Sequence, residues 1–396
     1  MTVVTPPHPP RSDEPSDLDA LIEEARRRAR RRRFLFVAAG LVVFFAAGLS
    51  VIAYYLVEGN GRSEGPGARG QATHGAGAGE LLLYGSLVHG HVIYGVRPDG
   101  SHLRRLTRAG NDNVAVSPDG KRIAFTRGRG PIDRKQRYTA LFILNIESGR
   151  ARRVTPWKAN GTYGSPRWAL GGRRIVYGTC RPAGIGESNC TIWSTRPDGS
   201  GKRNLTGTLK PSSLTVVSPD GRWIAFGTGS ARFCFPGPLA PRLYAERIDG
   251  SGRRLLASGC SISPPPISWS RRGLIAYYRY SRGLETVSLG GRRQRFPGLP
   301  REAHRAFWSP DGSRLAVEVH GHVYVTNASG RGSLHSMNRN SRYKPFGAWS
   351  PDGRRIAYAE SRIHGHTSVV VVDAGDGHVE SVIPFRRVTD VVAWRR

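Results

Sequence analysis

The chain has 396 residues, with 60 Lys+Arg against 29 Asp+Glu and a formal net charge of +31. Its 50 Gly and 27 Pro argue against a mostly helical protein and fit one of turns and short strands, while 38% hydrophobic residues exclude wholesale disorder. The basic residues are 54 Arg and 6 Lys, a skew that GC-rich codons produce as readily as function does.

Residues 1–33 are polar and read as a cytoplasmic tail. Pro6 to Pro10 suggests disorder, and from Ser16 the run SDLDALIEEARRRARRRR reads as a short helix with Ser16 as N-cap and acidic residues in its first turn. Residues 34–57, FLFVAAGLVVFFAAGLSVIAYYLV, carry no charge. As a helix this segment spans about 36 Å against about 30 Å of bilayer hydrocarbon. Seven Arg between Arg26 and Arg33 precede it, so the positive-inside rule predicts a single-pass membrane helix with a cytoplasmic N-terminus and an extracytoplasmic remainder. A cleaved signal peptide, the competing reading, has a shorter apolar region and a small-x-small site that is not evident here. The Arg run reads as a topology signal on anionic lipid, and no specific nucleic acid is expected as a partner. Residues 58–79, rich in Gly and Ala, read as a flexible linker.

A repeat fills residues 80–396. An apolar residue, Ser-Pro-Asp-Gly or a relic of it, a basic residue and an apolar strand recur in AVSPDGKRIAFTR from Ala115, RWALGGRRIVYGT from Arg167, VVSPDGRWIAFGT from Val216, SWSRRGLIAYYRY from Ser268, FWSPDGSRLAVEV from Phe307 and AWSPDGRRIAYAE from Ala348. Anchors lie about 39–52 residues apart, the period of four-stranded propeller blades. Pro fixes φ, Asp bonds its own backbone and Gly supplies positive φ, so each motif is a turn between strands A and B. A second Gly turn, as in LFILNIESGRARRVT from Leu141, joins strands C and D.

These units resemble the WD-like repeats of TolB-type propellers, and the resemblance covers all of residues 80–396. It implies an all-β propeller and protein partners in the cell envelope. Two units depart from the pattern: Trp168 leads into Ala-Leu-Gly-Gly and Trp269 into Ser-Arg-Arg-Gly. Glu80 to Thr107 supplies strands B, C and D with no strand A, and TDVVAWRR at the C-terminus reads as a lone strand A. Six full units and one split unit predict a seven-bladed propeller closed between the two ends; six blades, as in TolB itself, is the alternative.

Long B–C loops at 127–139, 179–190 and 228–241 fall on one face, the usual place for binding on a rigid scaffold. They carry the candidate binding residues Arg127, Arg129, Arg134, Lys135, Arg137, Arg181 and Arg232. The expected ligand is an anionic envelope polymer or lipid, because Arg grips phosphate and carboxylate bidentately. Arg104, Arg152 and Arg203 are assigned to D strands or the turns before them. The four Cys all follow the apolar segment, so disulfides are permitted, and loop parity pairs Cys180 with Cys190 and Cys234 with Cys260. His-Gly-His at 89–91, 320–322 and 364–366 has a spacing two metal ligands use but reads as tight B–C turns. No metal or cofactor is expected. No nucleophile elbow, H-E-x-x-H or P-loop is readable. The sequence therefore reads as a membrane-anchored binding or scaffold module at the cell envelope, with a propeller lyase or hydrolase as the rival.

Overall fold

The computed structural model describes residues 79–395, apart from 88–89, 108–110, 130–137, 160–161, 183–187, 210, 230–239, 260–267, 281, 297, 304, 321, 331–334, 338–346, 362–365 and 387. The tail, the apolar segment 34–57 and residues 58–78 of the linker lie outside the described residues. Among the described residues no helix is long and apolar enough to cross a membrane.

The strands, in chain order, make seven antiparallel blades in six sheets, because the pairing of His91 with Asn111 joins blades 1 and 2 into one sheet. Blade 1 takes β1 (Glu80–Leu87), β2 (Gly90–Val96) and β3 (Arg104–Arg105); blade 2 takes β4 (Asn111–Val116), β5 (Arg122–Arg129), β6 (Tyr138–Asn145) and β7 (Ala151–Arg153), with β8 (Lys158–Ala159) added beside β6. Blade 3 takes β9 (Thr162–Ala169), β10 (Arg174–Pro182), β11 (Ser188–Thr195) and β12 (Arg203–Asn204), and blade 4 takes β13 (Pro211–Val217), β14 (Trp223–Thr228), β15 (Arg242–Arg247) and β16 (Arg254–Ser258). Blade 5 takes β17 (Ser268–Trp269), β18 (Leu274–Arg279), β19 (Gly283–Ser288) and β20 (Arg293–Arg295). Blade 6 takes β21 (Arg305–Trp308), β22 (Arg314–Val319), β23 (His322–Asn327) and β24 (His335–Ser336). Blade 7 takes β25 (Gly347–Trp349), β26 (Arg355–Ser361), β27 (His366–Asp373) and β28 (Val379–Arg386). The last strand, β29 (Val388–Arg395), crosses back and pairs with β1, Glu80 opposite Arg395 and Leu81 opposite Trp394. The propeller is seven-bladed, and the expected closure by the C-terminal strand is the one observed.

Each blade is too thin to bury its own apolar side chains, so every core lies between two blades. Tyr177, Trp168 and Ile175 of blade 3 pack on Leu141 and Ile143 of blade 2; Phe226 and Ile224 of blade 4 pack on Ile192 of blade 3. The sequence continues round the ring to Val391 and Trp394 of blade 1, which pack on Ala357 and Val371 of blade 7.

The A–B turns show why Ser-Pro-Asp-Gly recurs. Ser117 Oγ donates to Asp119 and accepts the Arg122 amide at 2.9 Å, while Asp119 also accepts the Lys121 amide at 3.0 Å. The same bonds recur at Ser218 and Asp220, Ser309 and Asp311, and Ser350 and Asp352. All four serines are buried. Turn glycines Gly120, Gly221, Gly312 and Gly353 have φ between 69° and 74°, a conformation that L side chains rarely adopt.

Arginine joins blade to blade. Arg122 lies 4.8 Å over the Trp168 ring of the next blade and donates to Gly172 O, and Arg314 repeats this on Trp349, at 5.2 Å, and on Gly353 O. On the outer side, Arg152 donates to Pro197 O at 2.9 Å, Arg203 to Asp249 O at 2.6 Å and Arg254 to Leu289 O at 3.3 Å, each reaching the C–D turn of the following blade. Part of the basic excess is therefore structural.

The closing seam is fastened by Glu80. Its carboxylate accepts from Arg104 at 2.9 Å and from Arg395 Nε at 2.6 Å, and Arg395 donates onward to Gly120 O at 3.2 Å. Burial pushes the Glu80 pKa up, but the two guanidiniums outweigh it and hold the group below its ordinary value. Glu80→Ala leaves Arg395 unpaired at the seam and should cost about 2 kcal/mol in urea unfolding, against under about 0.5 kcal/mol for an exposed site such as Glu147→Ala.

The turn aspartates make stability pH-dependent. The Ser309 and Ser313 hydroxyls lower the pKa of Asp311, and the Ser350 hydroxyl lowers that of Asp352. A depressed folded-state pKa gives stabilisation that is complete above the unfolded value of about 3.9 and is lost as pH falls below it. The urea midpoint should therefore drop between pH 5 and pH 2, and the Asp311→Asn, Asp352→Asn double variant should show a shallower drop.

Candidate functional site

The expected basic cluster begins on strands, not loops. Arg127 and Arg129 belong to β5, whose pairing with β6 continues to Arg129 opposite Tyr138. Phe125, Arg127 and Arg129 alternate along the strand and share one face of blade 2, the face that packs on blade 1. Arg127 Cζ lies 4.8 Å from the Phe142 ring centre and 5.3 Å from that of Phe125. Arg129 Cζ lies 4.3 Å from Trp157 and 5.5 Å from Tyr138, and Trp157 packs edge-on to Phe142. The rings hold the guanidiniums in place by cation–π attraction.

Beside this ladder runs an open groove of about 550 Å³ between blades 1 and 2. Arg105, Leu106 and Thr107 form one wall, and Arg127, Leu144, Gly149 and Ala151 the other. Arg105 Nε donates to Thr107 O at 2.9 Å, which orients its side chain along the wall. Arg105, Tyr138 and Trp157 were not among the sequence candidates. Tyr138 was findable as the residue across from Arg129 in a hairpin; Trp157, beside the two-residue β8, has no periodic signal.

Arg181 sits near the end of β10, paired with Asn189 of β11. Arg134, Lys135, Arg137 and Arg232 lie outside the described residues, so the structure brings together Arg127 and Arg129 alone of the seven. Arg104, Arg152 and Arg203 are D-strand residues as expected, but they bond Glu80, Pro197 and Asp249 and are parts of the frame. His320 takes φ 50° at the β22–β23 hairpin, where Val319 pairs with His322, consistent with a turn there. Among the described residues no three His, Cys, Asp or Glu side chains gather as a metal site requires.

Cys180 and Cys190 form a disulfide between directly paired residues of β10 and β11, with Cα atoms 4.0 Å apart and both side chains buried. Cys234 and Cys260 lie outside the described residues. The Cys180–Cys190 bridge clamps the hairpin that carries Arg181. Replacing both cysteines by Ser should lower stability by about 2–3 kcal/mol, read as a shift in denaturant midpoint, because the bridge constrains a short loop of the unfolded chain.

No family model matches the chain. It is 32% identical over 146 residues to a Protein TolB homolog of Chlorobium luteolum, covering 36% of this chain and 30% of that protein. It is 28% identical over 123 residues to Dipeptidyl-peptidase 5 of Porphyromonas endodontalis, covering 31% of this chain and 16% of that protein. The chain thus spans less than a third of the length of the curated relatives it matches. Among solved structures, an oligogalacturonate lyase in complex with manganese superposes with a TM-score of 0.56 at 15% identity, covering 74% of this chain and 85% of that one. At that identity the likeness speaks for the fold alone. The fold is distantly related both to TolB-like propellers and to propellers of enzymes.

Proposed function

We propose that this chain is a membrane-anchored, extracytoplasmic binding module that holds an anionic component of the cell envelope at the blade 1–2 edge, with envelope proteins as further partners. The observation that carries the reading is Arg127 and Arg129 on one strand face, braced by aromatic rings beside an open groove. Among the described residues, the charged side chains lining that groove are Arg105 and Arg127, both guanidiniums. They suit holding an anion better than moving a proton, and for that reason binding is preferred to a propeller lyase or hydrolase. Arg134, Lys135, Arg137, Arg181 and Arg232 remain further candidates of this reading from the sequence. The anchor is residues 34–57, and after residue 57 the chain still carries 52 basic and 23 acidic residues, a field that draws polyanions.

The test is binding of the full chain to purified anionic wall polymer at low and high salt. Arg127→Ser with Arg129→Ser should weaken binding about tenfold or more, and added salt should weaken it steeply. Arg150→Ser with Arg292→Ser is the matched control, since Arg152 and Arg203 hold blades together. Equal losses in the two pairs would reduce the effect to diffuse charge and remove the site. Protease added to spheroplasts should degrade the propeller and spare the N-terminal tail; a protected propeller refutes the topology.

A further inference from the structure

Blade 3 lacks the aspartate that other A–B turns hold, and the basic residues around it converge. Its A–B turn reads Leu170-Gly171-Gly172-Arg173, with Arg174 opening β10. Arg174 Nη2 donates to Ser194 Oγ at 3.0 Å and to Gly201 O at 2.5 Å, which fixes the guanidinium beside the C–D turn. Arg196, in that turn, donates from Nη1 to Ser200 Oγ at 3.3 Å. Gly201 lies between the two, with φ +60°, and has no side chain to fill the space: a Cβ there would be 3.5 Å from Arg196 Nη1 and 3.7 Å from Arg174 Nη1. Lys202 stands beside them, 4.1 Å over the Trp193 ring, and Arg203 follows in β12.

Neither Arg174 nor Arg196 forms an ion pair among the described residues. The nearby carboxylates are hydrogen-bonded within their own turns, although Asp198 also feels the charge of Arg196 and Asp249 that of Arg203. Asp198 accepts the Ser200 amide and hydroxyl at 2.8 and 2.7 Å, and Asp249 accepts those of Ser251 at 2.9 and 2.6 Å. Asp249 also pairs with Arg247 at 3.4 Å. Burial, then the charges of Arg203 and Arg196, depress the pKa of Arg174. Like charges held together by hydrogen bonds to neutral groups are relieved by an anion between them.

We propose that this turn of blade 3 is a phosphate-binding subsite, in which an anionic oxygen sits over Gly201 between Arg174 Nη1 and Arg196 Nη1. Two guanidiniums approaching from different sides match a tetrahedral group with several charged oxygens, whereas a planar carboxylate is satisfied by one guanidinium fork. The ligand class is a phosphate mono- or diester: free phosphate, a phospholipid headgroup or a phosphodiester polymer. The subsite lies on the face of the A–B and C–D turns, opposite the B–C loops, and is independent of the blade 1–2 edge.

The test titrates inorganic phosphate into the detergent-solubilised full chain at constant ionic strength, balanced with sodium chloride, and follows the melting temperature and heat of binding. Saturable binding is expected. Arg196→Gln should weaken it about tenfold, and exposed Arg150→Gln should leave it within about twofold. Without phosphate, Arg196→Gln should melt no lower than the unaltered chain, because it removes repulsion. Hydrogen exchange over residues 196–203 then assigns the source. Arg196-dependent protection in phosphatidylglycerol over phosphatidylcholine nanodiscs names the headgroup, protection by a glycerol-phosphate oligomer names the polymer, and protection by inorganic phosphate alone names the free ion. No phosphate binding, equal loss in Arg196→Gln and Arg150→Gln, or a lower melting temperature of phosphate-free Arg196→Gln overturns the subsite. None of these results bears on polymer binding through Arg127 and Arg129.

Discussion

One buried serine hydroxyl in each regular A–B turn sets the geometry on which the ring depends. It donates to the turn aspartate and accepts an amide from the start of strand B, as Ser117 does with Asp119 and Arg122. Both capacities of the hydroxyl are used, so it can be buried without the cost of an unpaired polar group. The turn that results presents its glycine carbonyl outward at a fixed place. Arg314 and Arg395 each find such a carbonyl in the next blade, at Gly353 and Gly120, and Arg122 finds that of Gly172 in the irregular turn of blade 3. The apolar cores between blades supply the bulk of the burial, while these polar contacts fix where one blade sits against the next.

The arginine excess divides along these lines. Arg104, Arg152, Arg203, Arg254, Arg314 and Arg395 make bonds to carboxylates or backbone carbonyls that the frame uses. Arg127 and Arg129 instead lie on aromatic rings, and Arg174 and Arg196 crowd over a glycine. The former group bonds the carboxylates and carbonyls of the frame; the latter sets positive charge against aromatic rings and over a glycine.

Much of the architecture was legible because it rests on local chemistry. Pro-Asp-Gly announces its own turn, its recurrence counts the blades, and the missing strand A before Glu80 matches the spare strand at Val388–Arg395. Cys180 and Cys190 were pairable because a hairpin sets them opposite each other. The site was less legible. Gly128 and the run of basic residues hide the alternation of Phe125, Arg127 and Arg129, so strand β5 looked shorter than it is. The blade-to-blade arginine bonds join residues about one repeat apart, Arg152 to Pro197 and Arg203 to Asp249, and no window of local pattern spans that distance. The two turns that lost Pro-Asp-Gly were visible as irregularities, but that the one in blade 3 gathers charge over Gly201 follows only from how its hairpins face each other.

The seam between β1 and β29 also sets an order of events. Glu80 and Arg395 are 315 positions apart, yet they are partners in one sheet. Until Val388–Arg395 has left the ribosome, blade 1 has no inner strand, and the apolar faces of Leu81 and Leu83 on β1 lack Val391 and Trp394. Blades 2 to 7 can assemble in succession as they emerge, but the ring cannot lock before the final strand arrives. The nascent chain therefore carries an open, strand-seeking edge at β1 until the final strand pairs with it.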